Sequence, residues 1–201
     1  GPIRSMVELL EAAGVFVVVE DFCDREIDAV TLRASQHHPH LVYVNAALPP
    51  DRMRMTLAHE LGHLVMDAMT LVSPVETERR ATAFAAEFLA PIDDIAFDLD
   101  RVSVRTIHEL DELRLTWGVS VASLVVRARE RGVLSDYQYR SMFRLLNETF
   151  QETFLELFGG GKARLELEDE SDILGCGIEI KVQPPGKQLK TITLLSGGEK
   201  A

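Results

Sequence analysis

The chain has 201 residues, 46% of them hydrophobic, and carries a formal net charge of −11. Such a length suits one sizeable core or two small ones. The acidic balance, −7 over residues 1–146 (15 basic, 22 acidic) and −4 over residues 147–201 (6 basic, 10 acidic), excludes a nucleic-acid binder working through bulk electrostatics. Cys23 and Cys176 are too few and too far apart for a disulfide framework or a cysteine-bound zinc. No apolar run approaches the roughly 20 residues of a membrane span, and no basic-then-apolar leader is present, so a soluble, cytoplasmic protein without membrane contact is expected. The opening Gly1-Pro-Ile, without an initiator methionine, is that of a processed chain or of a piece of something longer.

In chain order, the spacing of Met6, Leu9, Leu10 and Ala13 predicts a helix that Gly14 stops. Residues 15–19, 27–32 and 41–45 read as strands, so a three-stranded sheet is expected before residue 50. His37, His38 and His40 stand together around Pro39; a second metal site is one reading, and a Pro-broken polar turn is the simpler one. Pro49-Pro50-Asp51 then starts a helix running from Arg52 to about Ala68.

That helix contains His59-Glu60-Leu-Gly-His63. Four residues apart on a helix, the two imidazoles share one face. Two nitrogens on one face suit Zn²⁺, and the intervening carboxylate suits a general base, the H-E-x-x-H arrangement of zinc peptidases. Two structural histidines on an amphipathic helix are the plainer alternative. However, Met55, Leu57, Ala58, Leu61, Leu64 and Val65 make the helix apolar enough to bury that face, and buried ionisable groups need partners. Two histidines and a carboxylate also accept Mn²⁺ or Fe²⁺.

A second helix is expected from about Val75 to Pro91, with Ala81, Phe84, Ala85, Phe88 and Leu89 facing the core. Glu78 falls on or near that buried side and is the choice for a third, carboxylate ligand; Glu76 and Glu87 are alternatives, each of which could instead be a solvated helix carboxylate. Three further helices are expected near residues 104–116, 121–131 and 136–147, with Ser120 and Ser135 as N-caps of the last two and Gly118 and Gly132 as breaks. His108, among Glu109, Asp111 and Glu112, reads as a surface residue.

Arg52-Met-Arg-Met-Thr-Leu-Ala-His-Glu-Leu-Gly-His63, Glu78, Phe84-Ala-Ala-Glu-Phe-Leu-Ala-Pro91, Trp117-Gly-Val-Ser120 and Arg127-Ala together resemble the ImmA/IrrE family of metallo-endopeptidases, over about residues 2–146. The resemblance implies a small, gluzincin-like α+β zinc peptidase domain that cleaves a DNA-binding, helix-turn-helix repressor in stress or mobile-element regulation. It implies His59, His63 and Glu78 as zinc ligands and Glu60 as general base. Arg80 stands where many members carry an acidic or amide residue, and a guanidinium cannot ligate zinc. Long members carry a helix-turn-helix domain upstream, so a DNA-binding domain preceding Gly1 is an expectation, while no direct nucleic-acid binding is expected from residues 1–201.

From Asn147 the composition shifts. Phe150, Phe154 and Phe158 recur at every fourth residue of a helix that Gly159-Gly-Gly161 breaks, and residues 163–168 and 177–183 read as strands. Asn147-Glu-Thr-Phe, Leu157-Phe-Gly-Gly-Gly-Lys-Ala163, Gly177-Ile-Glu-Ile, Pro184-Pro-Gly-Lys187 and Leu195-Ser-Gly-Gly-Glu-Lys200 resemble the C-terminal half of an SMC-type ATPase head. By that resemblance Ser196, Gly197, Gly198 and Glu199 match the signature that contacts ATP held by an opposing head, in an incomplete α/β ABC-ATPase half-head. No G-x-x-x-x-G-K-[ST] occurs anywhere, so ATP hydrolysis by this chain alone is excluded. Two domains, 1–146 and 147–201, are therefore expected, joined near Leu146–Asn147. The strands of the second are expected to lack the half-sheet they normally pair with and to leave it poorly ordered. Of three functions, a zinc endopeptidase leads. A non-cleaving module that senses metal or binds a repressor comes second, and an SMC-type ATPase function last.

Overall fold

The computed structural model describes residues 1–24, 27–66, 73–103, 106–167, 178–183, 185–186 and 190–193. Among them the chain divides into two compact units, one of Gly1–Asp98 with Leu110–Leu124 and the other of Leu99–Glu109 with Val125–Leu195.

The first unit opens with α1 (Met6–Ala12), whose start Ser5 caps by accepting from the Glu8 amide, and whose Met6 and Leu10 are buried. Three strands follow: β1 (Val15–Glu20), β2 (Ala29–Leu32) and β3 (His40–Asn45). The sheet order is β1-β3-β2, with β1 parallel and β2 antiparallel to β3. In β3, Val42 and Val44 are fully buried, as the period of two requires for one face on the core. The expected strand over 27–32 is shorter, because Asp28 turns its carboxylate to Arg52 and Asn45 donates to the Ile27 carbonyl. The histidine cluster is the polar turn: His40 Nδ1 accepts from the Ala34 amide and His38 Nδ1 lies 2.9 Å from the Pro39 carbonyl oxygen.

Next come α2 (Pro50–Met66) and α3 (Pro74–Leu89). Proline at the first helical turn costs α2 no hydrogen bond. In α3, Ser73 caps by accepting from the Glu76 amide. α2 lies against β2, β3, α1 and α3. Its approach to α3 depends on Gly62, where a Cβ would sit 3.1 Å from Phe84 Cδ1 and 3.2 Å from Ala81 Cα. Fully buried Ala81 and Ala85 keep the facing surface of α3 equally low.

A buried ion pair fixes α2 to the sheet. Arg52 Nε and Nη2 donate to the two Asp28 carboxylate oxygens at 2.8 and 2.9 Å, and the Asp28 side chain is only 3% exposed. Removing one partner would leave the other charge buried and unpaired. Arg52→Met is therefore expected to cost about 3 kcal/mol in urea denaturation, with Arg52→Met/Asp28→Asn costing less than the sum of the single changes. Additive losses would show that the pair contributes nothing as a pair.

The sequence reading missed α4 (Ile92–Leu99). Pro91 ends α3, but a proline is also a favourable helix opening, and Asp93 and Asp94 in the first turn of α4 suit the positive end of its dipole. α5 (Glu109–Trp117) begins later than the expected residue 104. Thr106 donates to the Arg101 carbonyl and accepts from the Ser103 amide, and such side-chain bonds compete with helix formation. α6 (Val121–Glu130) follows Ser120, whose hydroxyl accepts from the Ser123 amide.

In the second unit, α7 (Asp136–Phe158) is one 23-residue helix that runs without a break through residues 146 and 147. Ser135 and Gln138 form a capping box at its start, and Gly159 closes it. Along it Phe154 stacks on Phe158 and lies tilted against Phe150. Beyond it lie β4 (Lys162–Leu167), β5 (Ile178–Gln183) and β6 (Lys190–Thr193), the last not foreseen. These strands pair antiparallel with one another in the order β4-β5-β6. Asn147 binds α7 to β4 on both sides of its amide: Oδ1 accepts from the Leu165 amide at 2.8 Å and Nδ2 donates to the Leu165 carbonyl at 3.2 Å.

Candidate metal centre

His59 and His63 sit one turn apart on α2, and Glu78 enters from the first turns of α3. Each offers one donor atom, and the three donors lie within 4.8 Å of one another. His59 Nε2 is 2.9 Å from His63 Nε2 and 3.1 Å from Glu78 Oε2, while His63 Nε2 is 3.3 Å from Glu78 Oε1. Among the described residues this is the one such cluster of histidine, cysteine and carboxylate groups.

The donors fit a metal ion. A tetrahedral ion with bonds of about 2.0–2.1 Å needs its ligands about 3.3 Å apart, close to these separations. Facing each other, the two Nε2 atoms can share one proton at most, whereas a cation engages both lone pairs and the carboxylate charge together. Three protein ligands also leave a fourth position open, as in catalytic rather than structural zinc sites.

Around the cluster, two threonines that the sequence reading missed hold the inner groups. Thr82 Oγ1 lies 3.3 Å from His59 Nδ1, a partner for the outer ring nitrogen that leaves Nε2 to the metal. From the edge strand β2, Thr31 Oγ1 donates to Glu60 Oε2 at 2.7 Å. Arg33 Nη2 donates to the His63 carbonyl at 2.9 Å, tying the last turn of α2 to the end of the same strand. The one available signal was the alternation of β2, which places Thr31 on the side of buried Ala29.

His59 and Glu60 are buried, at 3% and 9% exposure. Burial raises the Glu60 carboxyl above its ordinary value. The Thr31 hydroxyl and the nearby His63 pull it back, and the charge of Glu78 adds to the rise.

The alternative carboxylates have other work. Glu76 pairs with Arg79 at 2.9 Å, and Glu87 Oε1 accepts from the Ile92 amide. His108 is exposed, as expected. Ser196, Gly197, Gly198 and Glu199 lie outside the described residues.

A pair of histidines one turn apart, a carboxylate from the next helix and a buried glutamate beside them define a metallopeptidase-like site. In agreement, residues 10–129 match the peptidase family Peptidase_M78, described as the IrrE N-terminal-like domain. The chain belongs to that family.

It is also similar to chromosome partition proteins Smc. The similarity to that of Mesomycoplasma hyorhinis is 53% identity over 57 residues, 28% of this chain and 6% of the relative. With that of Bacillus subtilis it is 47% over 64 residues, 32% of this chain and 5% of the relative. With that of Myxococcus xanthus it is 31% over 175 residues, 87% of this chain and 14% of the relative. The chain thus spans a small fraction of the length of these relatives, and identity is higher in the short matches than in the long one.

No helix among the described residues is long and apolar enough to cross a membrane.

Proposed function

We propose that the chain is a zinc-dependent endopeptidase of gluzincin-like architecture, acting in the cytoplasm on a helix-turn-helix repressor. The observation that carries this reading is the convergence of His59, His63 and Glu78 on one point, with buried Glu60 held beside them by Thr31. The metal, when bound, supplies Lewis acidity at the scissile carbonyl and toward the attacking water.

The chain's own residues do the rest. His59, His63 and Glu78 bind the ion, and Thr82 orients His59. As base, Glu60 takes a proton from the attacking water while the water oxygen bonds to the peptide carbon and the carbonyl π pair moves onto the carbonyl oxygen. As acid, it then delivers that proton to the amine as the C–N bond breaks. The Thr31 hydroxyl fixes one carboxylate oxygen of Glu60 through this exchange.

Incubation of the purified chain with a co-encoded helix-turn-helix repressor tests the reading. Two fragments are expected with zinc present and none after chelation. Binding of an intact repressor under both conditions would instead favour a non-cleaving regulatory module.

Residues 147–201 complete the reading as a stretch related to an SMC-type head. In support, the short Smc matches of 57 to 64 residues are about as long as that 55-residue stretch.

A further inference from the structure

Arg54 lies nine residues before His63 on α2, about two and a half turns away, and so on the opposite side of the helix. There a cleft of about 290 Å³ opens between the first residues of the chain and the end of α5, with Arg4, Arg54, Leu115, Trp117 and Gly118 in its lining. Arg54 is half-buried. Its Nη2 donates to the Ile3 carbonyl, and its Nε is buried without an acceptor. Burial lowers its pKa below the ordinary guanidinium value.

Among the described residues no carboxylate pairs with Arg54 or with exposed Arg4, although the chain has 32 acidic side chains. The contrast with Arg52 on the same helix is direct: its guanidinium has both oxygens of Asp28. Gly118, at φ +63°, admits the Arg54 side chain, since a Cβ there would sit 2.9 Å from Nε.

Two guanidinium groups without a carboxylate partner bring two positive charges to one cleft, and charge-assisted hydrogen bonds from guanidinium to phosphate are among the strongest available. Trp117 and exposed Leu115 add apolar surface beside them. The volume sits at the small end of ligand pockets, with room for a phosphate and a short organic group. We propose that this cleft binds a phosphate group, free or carried by a small monoester, through Arg54 and Arg4.

Titration calorimetry of the zinc-loaded chain with inorganic phosphate and with phenyl phosphate, at constant ionic strength against chloride, tests this. Saturable binding is expected, weakened at least about 5-fold by Arg4→Ala and lost in Arg54→Met. Tighter phenyl phosphate would identify a monoester as the source, and equal affinities free phosphate. Because Arg54→Met also removes the contact to Ile3, the exposed Arg4 change decides the matter if that variant fails to fold. Binding unchanged in Arg4→Ala would place the anion elsewhere, at the metal centre included, and would overturn the proposal, as would a response no greater than that to chloride.

Discussion

Glu60→Gln is expected to lower turnover of a cleaved repressor by about 10²- to 10⁴-fold, the range that positioned acid–base groups contribute, while zinc affinity changes little. Glutamine keeps the shape of the side chain and can still accept from Thr31, but it cannot take a proton. A second consequence concerns the metal-free protein. Burial raises the Glu60 carboxyl in the folded chain above its unfolded value, so the native state holds that proton more tightly. Its stabilising contribution is complete below the unfolded pKa of about 4.3 and is lost as pH rises through the folded value. Thermal melts in chelator should therefore show the parent losing stability over that window relative to Glu60→Gln. Retained cleavage by the variant would remove Glu60 from the role of base, and parallel melting profiles would show that its burial has no cost.

Glu78→Ala should weaken zinc binding by more than about 100-fold, since even residues that merely orient a ligand cost about 10- to 100-fold. The loss follows from geometry: among the described residues Glu78 is the only carboxylate with oxygens 3.1 and 3.3 Å from the two facing imidazole nitrogens. Competition against a chromophoric chelator would measure it, with Glu76→Ala and Glu87→Ala as comparisons expected to match the parent. Near-parental affinity in Glu78→Ala would break the proposed ligand set, and a loss in Glu87→Ala would point to a different third ligand. Cleavage should fall with zinc occupancy and recover, at least in part, when zinc is raised.

Much of the site is local, which is why it can be read early. His59 and His63 meet because a helix returns to the same face after four residues, and Ser135 and Gln138 cap α7 because a capping box needs only their spacing. The choice of Glu78 over Glu76 and Glu87 rests on the apolar stripe of α3, also a local pattern. By contrast, Thr31 and Thr82 look like ordinary threonines until β2 and α3 are placed against α2. The missed α4 has a different cause, since Pro91 signals both the end of one helix and the opening of another.

The H-E-x-x-H helix, the three strands of the first sheet and the carboxylate that follows are legible in the residues alone, because each depends on a repeat of two or 3.6 residues within one segment. How closely α3 approaches Gly62, the grip of Thr31 on Glu60 from an edge strand, and the pairing of Asp28 with Arg52, which leaves Arg54 without a carboxylate, emerge only once the fold is assembled. Those outcomes depend on which distant segments pack together. Packing is governed by shape and charge summed over many residues, and no single stretch of sequence contains it.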